Sequence, residues 1–165
     1  MSELLVTAQD LLVREAVFLD EQRWDEWLEL YRPDCEYWIP TWRDEDTPTD
    51  DPMRELSHVY YSSRTGLEDR IARVRSGKSP ASNPLRRTTH MIGNVLVLES
   101  RARDWMKVRS SWTCHIYDPH QQKTTLVHGH STYELTSQGP GWQISRRRSL
   151  IQNDTLPAML DFYCL

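Results

Sequence analysis

The chain has 165 residues, enough for one domain with a substantial core, and a single domain over 1–165 is expected. Its 38% hydrophobic and 10% aromatic content excludes disorder, and its net charge of −4 argues against a nucleic-acid or anionic-membrane partner. Cys35, Cys114 and Cys164 are far apart, odd in number and in no CxxC arrangement, so reduced thiols in a cytoplasm are expected rather than a disulfide framework.

Residues 3–19 read as an amphipathic helix, with Leu4, Leu5, Ala8, Leu11, Leu12, Ala16 and Leu19 recurring at three- and four-residue steps. Glu15 falls on or beside that stripe and therefore calls for a partner. A second helix spans Trp24 to about Tyr31, with Trp24, Trp27, Leu28 and Tyr31 on one face, and Pro33 stops it. Cys35–Ile39 reads as a strand ended by Pro40. Residues 43–52, RDEDTPTDDP, form a loop; their acidic residues lack the EF-hand pattern and its glycine, so a solvated loop is preferred to a cation site.

A short strand at 56–62 precedes a helix at 64–75 striped by Leu67, Ile71 and Val74. The next loop, 76–88, contains Gly77-Lys78-Ser79, an echo of a phosphate loop. Ala72 stands where that motif needs glycine, and a helix precedes the segment where the motif needs a strand, so the echo is discarded. Everything after it has strand character. Residues 90–99 are an apolar run. Residues 105–117 alternate, with Met106, Val108, Trp112, Cys114 and Ile116 on one face. Two more strands are expected at 123–136 and 142–152, with turns at DPHQQ and at 137–141. Short connections make this an antiparallel meander, and strands with one buried face after N-terminal helices make an α+β layer structure. The economical solution is a curved sheet wrapping its helices, a cone with a helix in its mouth.

No catalytic, cofactor or metal signature emerges. His128, His130 and Glu134 share one strand face and have the ligand types of a non-haem iron triad, but Thr124, Thr132 and Thr136 on the same face favour a plain polar surface. Cys114-His115 lacks the second Cys/His pair of a Rieske cluster. Tyr37, Tyr60, Tyr61 and the histidines could bring acid–base groups to a conical pocket, although buried tyrosines are more often core residues. The N-terminus lacks the charged start and apolar core of a signal peptide, and no apolar run approaches membrane-span length.

The oddest feature is Arg146-Arg147-Arg148. Simple alternation puts Trp142, Ile144, Arg146, Arg148 and Leu150 on one face, so Arg146 and Arg148 are expected to meet carboxylates, with Glu15, Glu36 and Glu99 as candidates, or to lie in a subunit interface. The loop 76–88 and the apolar tail Leu156–Leu165, with Phe162 and Tyr163, are further candidates for interface contacts.

Several strings then agree with one family: EAVFLDEQRWDEWLELY with DCEYWIP, TGLEDRIARV, RTTHMIGNV and SRRRSLIQND. The chain resembles the small (β) subunits of aromatic-ring-hydroxylating dioxygenases over nearly its whole length, and LDFYCL resembles the benzoate and anthranilate branch. Gly93 departs from the serine expected in many members. The resemblance implies an NTF2-like cone and a hetero-hexamer of three α and three β subunits. It implies that the α subunit carries the Rieske [2Fe-2S] cluster, the mononuclear iron and the substrate pocket, and that a reductase supplies electrons from NADH. The β chain is then a non-catalytic assembly subunit of an enzyme that cis-dihydroxylates an aromatic carboxylate. The rivals are a stand-alone NTF2-like isomerase or dehydratase working in the cone, and a homo-oligomeric module binding a small aromatic ligand. The aromatic load of Trp24, Trp27, Trp38, Trp112 and Trp142, with the Trp24/Trp27/Leu28/Tyr31 face closing the mouth, favours a filled cone and the first reading.

Overall fold

The computed structural model describes residues 2–78, 83–101, 104–156 and 160–165. The first helix, α1 (Ser2–Asp20), buries Ala8, Leu11, Leu12, Ala16 and Leu19 and leaves Val6, Val13 and Val17 in solvent, as its periodicity requires. The second, α2, is shorter than its spacing suggests: it ends at Glu29, and β1 (Tyr31–Pro40) starts almost at once. Pro33 does not stop the helix. It lies within β1, in the gap between the pairs Tyr31↔Ile144 and Glu36↔Arg146, where no ladder N–H is needed. A loop leads to β2 (Ser57–Tyr61) and α3 (Thr65–Arg75), whose buried stripe is Leu67, Ile71 and Val74.

The meander follows: β3 (Arg87–Arg101), β4 (Trp105–Asp118), β5 (Lys123–Ser137) and β6 (Trp142–Ile151). The Asp118 carboxylate accepts from the backbone N–H groups of His120 and Gln121, which sets the β4–β5 turn. All neighbours in the meander are antiparallel, β1 joins β6 in parallel, and β2 closes the order β2-β1-β6-β5-β4-β3. One curved sheet of six strands thus wraps α1 and α2, and the α+β cone is NTF2-like.

Two irregularities set which residues face the interior. On β6, Glu134 pairs with Arg146 while Leu135 pairs with Ile144, so Ser145 is an extra residue. On β3, Gly93 pairs with Ser111 and Leu96 with Arg109, and Asn94 takes a φ of 49° in the gap. Each bulge reverses the alternation beyond it. Hence Ile144 and Arg147 both point inward, and Met91 and Leu96 both point outward, although their spacings are odd.

The core joins α1, α2, α3 and the inner sheet face to the C-terminal residues Phe162–Leu165. Within this chain Phe162, Tyr163, Cys164 and Leu165 of the tail are already buried in the cone. Arg70 pairs with Asp161 at 3.1 Å, and Asp161 caps the 3₁₀ turn Phe162–Cys164 by accepting from the Phe162 N–H at 2.8 Å. Arg70, in the string TGLEDRIARV, is therefore the anchor of the tail. No described helix is long and apolar enough to cross a membrane.

The closed cone as candidate functional site

Among the described residues, the interior of the cone holds one fully buried charge pair. Glu15 comes from the inner stripe of α1 and Arg147 from β6, each almost without solvent access, and Arg147 Nη1 lies 3.0 Å from Glu15 Oε1. The Tyr31 hydroxyl also donates to Oε1, and the Tyr133 hydroxyl donates to Oε2 at 3.1 Å. The guanidinium lies over the rings of Tyr37 and Tyr133, at 5.3 and 5.7 Å. Burial alone would expel the Arg147 charge, but the Glu15 carboxylate and the surrounding tyrosine oxygens outweigh it and hold its pKa well above the ordinary range. Burial and the nearby carboxylate push the Tyr31 hydroxyl well up, and burial lifts Tyr37 to about 12, so both stay protonated; Tyr31 donates to Glu15, whereas the Tyr37 oxygen accepts from Arg147 Nη1 at 3.4 Å.

Beside this pair stands a second one. Asp20, the last residue of α1, accepts from the Thr88 hydroxyl and the His90 backbone N–H, both at 2.9 Å, and its Oδ1 lies 2.6 Å from His90 Nδ1. An acidic residue at a helix C-terminus opposes the helix dipole; these three donors offset that. Burial works to raise the Asp20 pKa, yet the hydrogen bonds from His90 and Thr88 prevail and hold it below 3.8.

Aromatic rings occupy the rest of the interior. Trp27 touches Tyr31, Tyr37 and Phe162 at centroid distances of 5.0, 6.4 and 5.1 Å, and Trp24 meets Phe162 and Tyr163 at 5.2 and 5.8 Å. The cavity left between α1, β3, β4, β5 and β6 is about 10 Å³. Trp24, Trp27 and Tyr31 do bury one face in the cone, Leu28 only partly. Trp38 does not fill the cone. It lies on the outer face of β1, beneath the loop 41–56, with its indole N–H donating to Ser57.

The expected roles of the arginines change accordingly. The arginine that needs a buried carboxylate is Arg147, because the Ser145 bulge shifts the phase; its partner is Glu15. Arg146 is half exposed and bridges Glu36 and Glu134 at 3.1 and 3.3 Å. Arg148 forms no ion pair with a carboxylate among the described residues: it lies over the Trp38 ring at 5.0 Å and donates to the Thr49 carbonyl at 3.3 Å. Glu99 pairs with Arg101 instead. Residues 79–82 and 157–159 of the expected interface segments lie outside the described residues.

Metal chemistry finds no seat among the described residues, where no three His, Cys, Asp or Glu side chains converge. His130 and Glu134 are four residues apart on one straight strand, about 13 Å, and His128 is farther still, so the three cannot share an ion. Glu134 is instead engaged by Arg146 and the Trp105 indole. The three thiols are free and buried; burial pushes Cys35 up to about 11 and Cys164 up to about 12, which removes them as nucleophiles near neutral pH. The Asp20–His90 pair had no local signal, since its members are 70 residues apart; only an aspartate ending α1 and a histidine in the apolar run of β3 hint at it.

A cone sealed by its own aromatic side chains defines an NTF2-like scaffold rather than an open pocket. Residues 14–158 match the ring hydroxylating beta subunit family, and the chain belongs to it. It is 41% identical to the 2-halobenzoate 1,2-dioxygenase small subunit of Burkholderia cepacia over 92% of this chain and 90% of that one. It is 36% identical to the anthranilate 1,2-dioxygenase small subunit of Acinetobacter baylyi, over 98% and 97%. The crystal structure of the benzoate 1,2-dioxygenase beta subunit of Burkholderia mallei superposes with a TM-score of 0.79 at 33% identity, covering 96% of this chain and 95% of that one. The chain is thus a β subunit of an aromatic-ring-hydroxylating dioxygenase.

Proposed function

We propose that this β subunit is the non-catalytic assembly component of a Rieske non-haem iron dioxygenase. One observation carries this: the centre of the cone around Glu15 and Arg147 is packed, leaving about 10 Å³ there where a substrate would need several hundred. The partner is a large α subunit bearing the [2Fe-2S] cluster and the mononuclear iron, in a hexamer of three α and three β chains within the cytoplasm. A reductase feeds it NADH-derived electrons, and both oxygen atoms of O2 enter the ring as a cis-dihydrodiol. The halobenzoate, benzoate and anthranilate named for the relatives support an aromatic carboxylate as substrate. The outward face of β3, the edge strand, exposes Met91, Leu96 and Leu98, which supports a covering partner.

A stand-alone isomerase or dehydratase would need an open cone, which the aromatic filling argues against. Co-expression of this chain with a Rieske-type large subunit tests the proposal. The two should co-purify as one complex, with all iron assigned to the large chain. Stoichiometric iron in the isolated β chain, or failure to co-purify, would overturn it.

A further inference from the structure

Three residues that line the same small cavity each carry a buried polar atom without a partner: His90 Nε2, Trp112 Nε1 and Arg147 Nε. The His90 side chain is 3% exposed. Unsatisfied buried groups are uncommon and each costs free energy, so three around one cavity point to a missing common partner. Their roles can be assigned. The ionised Asp20 carboxylate has no hydrogen to give, so the His90 ring donates to it from Nδ1, and the imidazole form then offers Nε2 as an acceptor. Trp112 Nε1 and Arg147 Nε can only donate. Glu15 is already engaged by Tyr31, Tyr133 and Arg147 Nη1. The partner must therefore offer an acidic hydrogen to one wall and oxygen lone pairs to the other.

We propose that this cavity is a closed site for one water molecule, held between an acid–base wall and a donor wall, whose chemistry also suits a small carboxylic acid once the volume is enlarged. His90, positioned by Asp20, takes its hydrogen; Arg147 and Trp112 donate to its oxygen. About 10 Å³ suits a single water and nothing larger. The wall that limits the volume on the tail side is the Leu165 side chain, which lines the cavity and is buried. With that side chain trimmed, the site admits formic acid. Its O–H proton passes to His90 Nε2, and the formate left behind lies between an imidazolium and the Arg147 guanidinium, a charge-assisted pairing on both sides. The site is independent of the assembly role, because it needs no contact with a second chain.

The test uses the full-length chain, ¹⁵N-labelled, with formate as the probe. In the unaltered protein the Trp112 indole proton should exchange magnetisation with a long-lived buried water, the His90 ring nitrogens should report Nδ1 as the protonated one, and formate should move neither. In Leu165→Ala the Trp112 indole signal should shift saturably with formate. Adding His90→Gln should weaken that binding about tenfold or more, the loss expected when a hydrogen bond to a charged group goes. Absence of the water contact in the unaltered chain overturns the proposal, even if the Leu165 variant does not fold. So does a formate response that survives His90→Gln undiminished, which would mark simple attraction to Arg147. A folded Leu165→Ala chain that ignores formate overturns the carboxylic half.

Discussion

A positive charge at position 147 is tolerated in the interior because the Glu15 carboxylate faces it and the Tyr31 and Tyr133 hydroxyls donate to that same carboxylate. Removing one partner leaves the other charge buried and alone, which costs more than the pair contributes. Arg147→Ala should therefore lower stability by about 3–5 kcal/mol in urea unfolding. Replacing Glu15 and Arg147 together with methionine should recover part of that loss. Recovery stays incomplete because the Tyr31 and Tyr133 hydroxyls, which donate to Glu15, would then lack an acceptor. A double variant as unstable as Arg147→Ala alone would contradict this account. The need for a partner at Glu15 was legible from its place on an apolar helical stripe. The identity of that partner was not, since it lies 132 residues away.

At the scale of elements, periodicity locates α1, α3 and the four long strands to within a few residues, because each has a continuous buried face. It fails at phase. A period-two pattern carries no mark of an inserted residue, so the bulges at Ser145 and at Asn94 stay hidden, and with them the inward turn of Arg147 and the outward turn of Leu96. It also overextends α2, since the Trp24-to-Tyr31 spacing suits both a helix and a helix followed by a strand whose first residue points inward. Two glycines show how tightly register is then held. A Cβ on Gly129 of β5 would stand 2.1 Å from the Leu150 carbonyl oxygen and 3.1 Å from the Trp112 ring, and a ladder carbonyl cannot move aside. On Gly93 of β3 it would meet nothing within 4 Å. Gly129→Ala should cost at least about 3 kcal/mol, whereas Gly93→Ala should stay within about 0.5 kcal/mol. Denaturant midpoints of the two variants decide it; equal midpoints would mean that the β5–β6 contact relaxes freely.

For the whole molecule, the tail shows how composition alone can mislead. The tail Leu156–Leu165 is too apolar for water, which suggests a subunit contact, but the chain meets much of that need itself by folding Phe162–Leu165 into the cone behind Arg70 and Asp161. Phe162 and Tyr163 therefore stabilise the subunit first, and truncating either would test folding before assembly. The arginine run offers a cleaner probe. Arg148 lies on the outer sheet face, tying β6 to the 41–56 loop through Thr49 and to β1 through Trp38, and burial lowers its pKa while the guanidinium stays charged near pH 7. Losing it frees a surface loop rather than opening the core. If that face meets the large subunit, Arg148→Ala should weaken assembly about tenfold or more, as interface arginines commonly do, while the activity of each assembled complex stays unchanged. Arg146→Ala, in an exposed pair of the kind that contributes about 1 kcal/mol or less, should change assembly far less. Size-exclusion profiles of the co-expressed complexes separate the outcomes: an Arg148→Ala complex eluting unchanged on dilution would place the interface on another face of the cone.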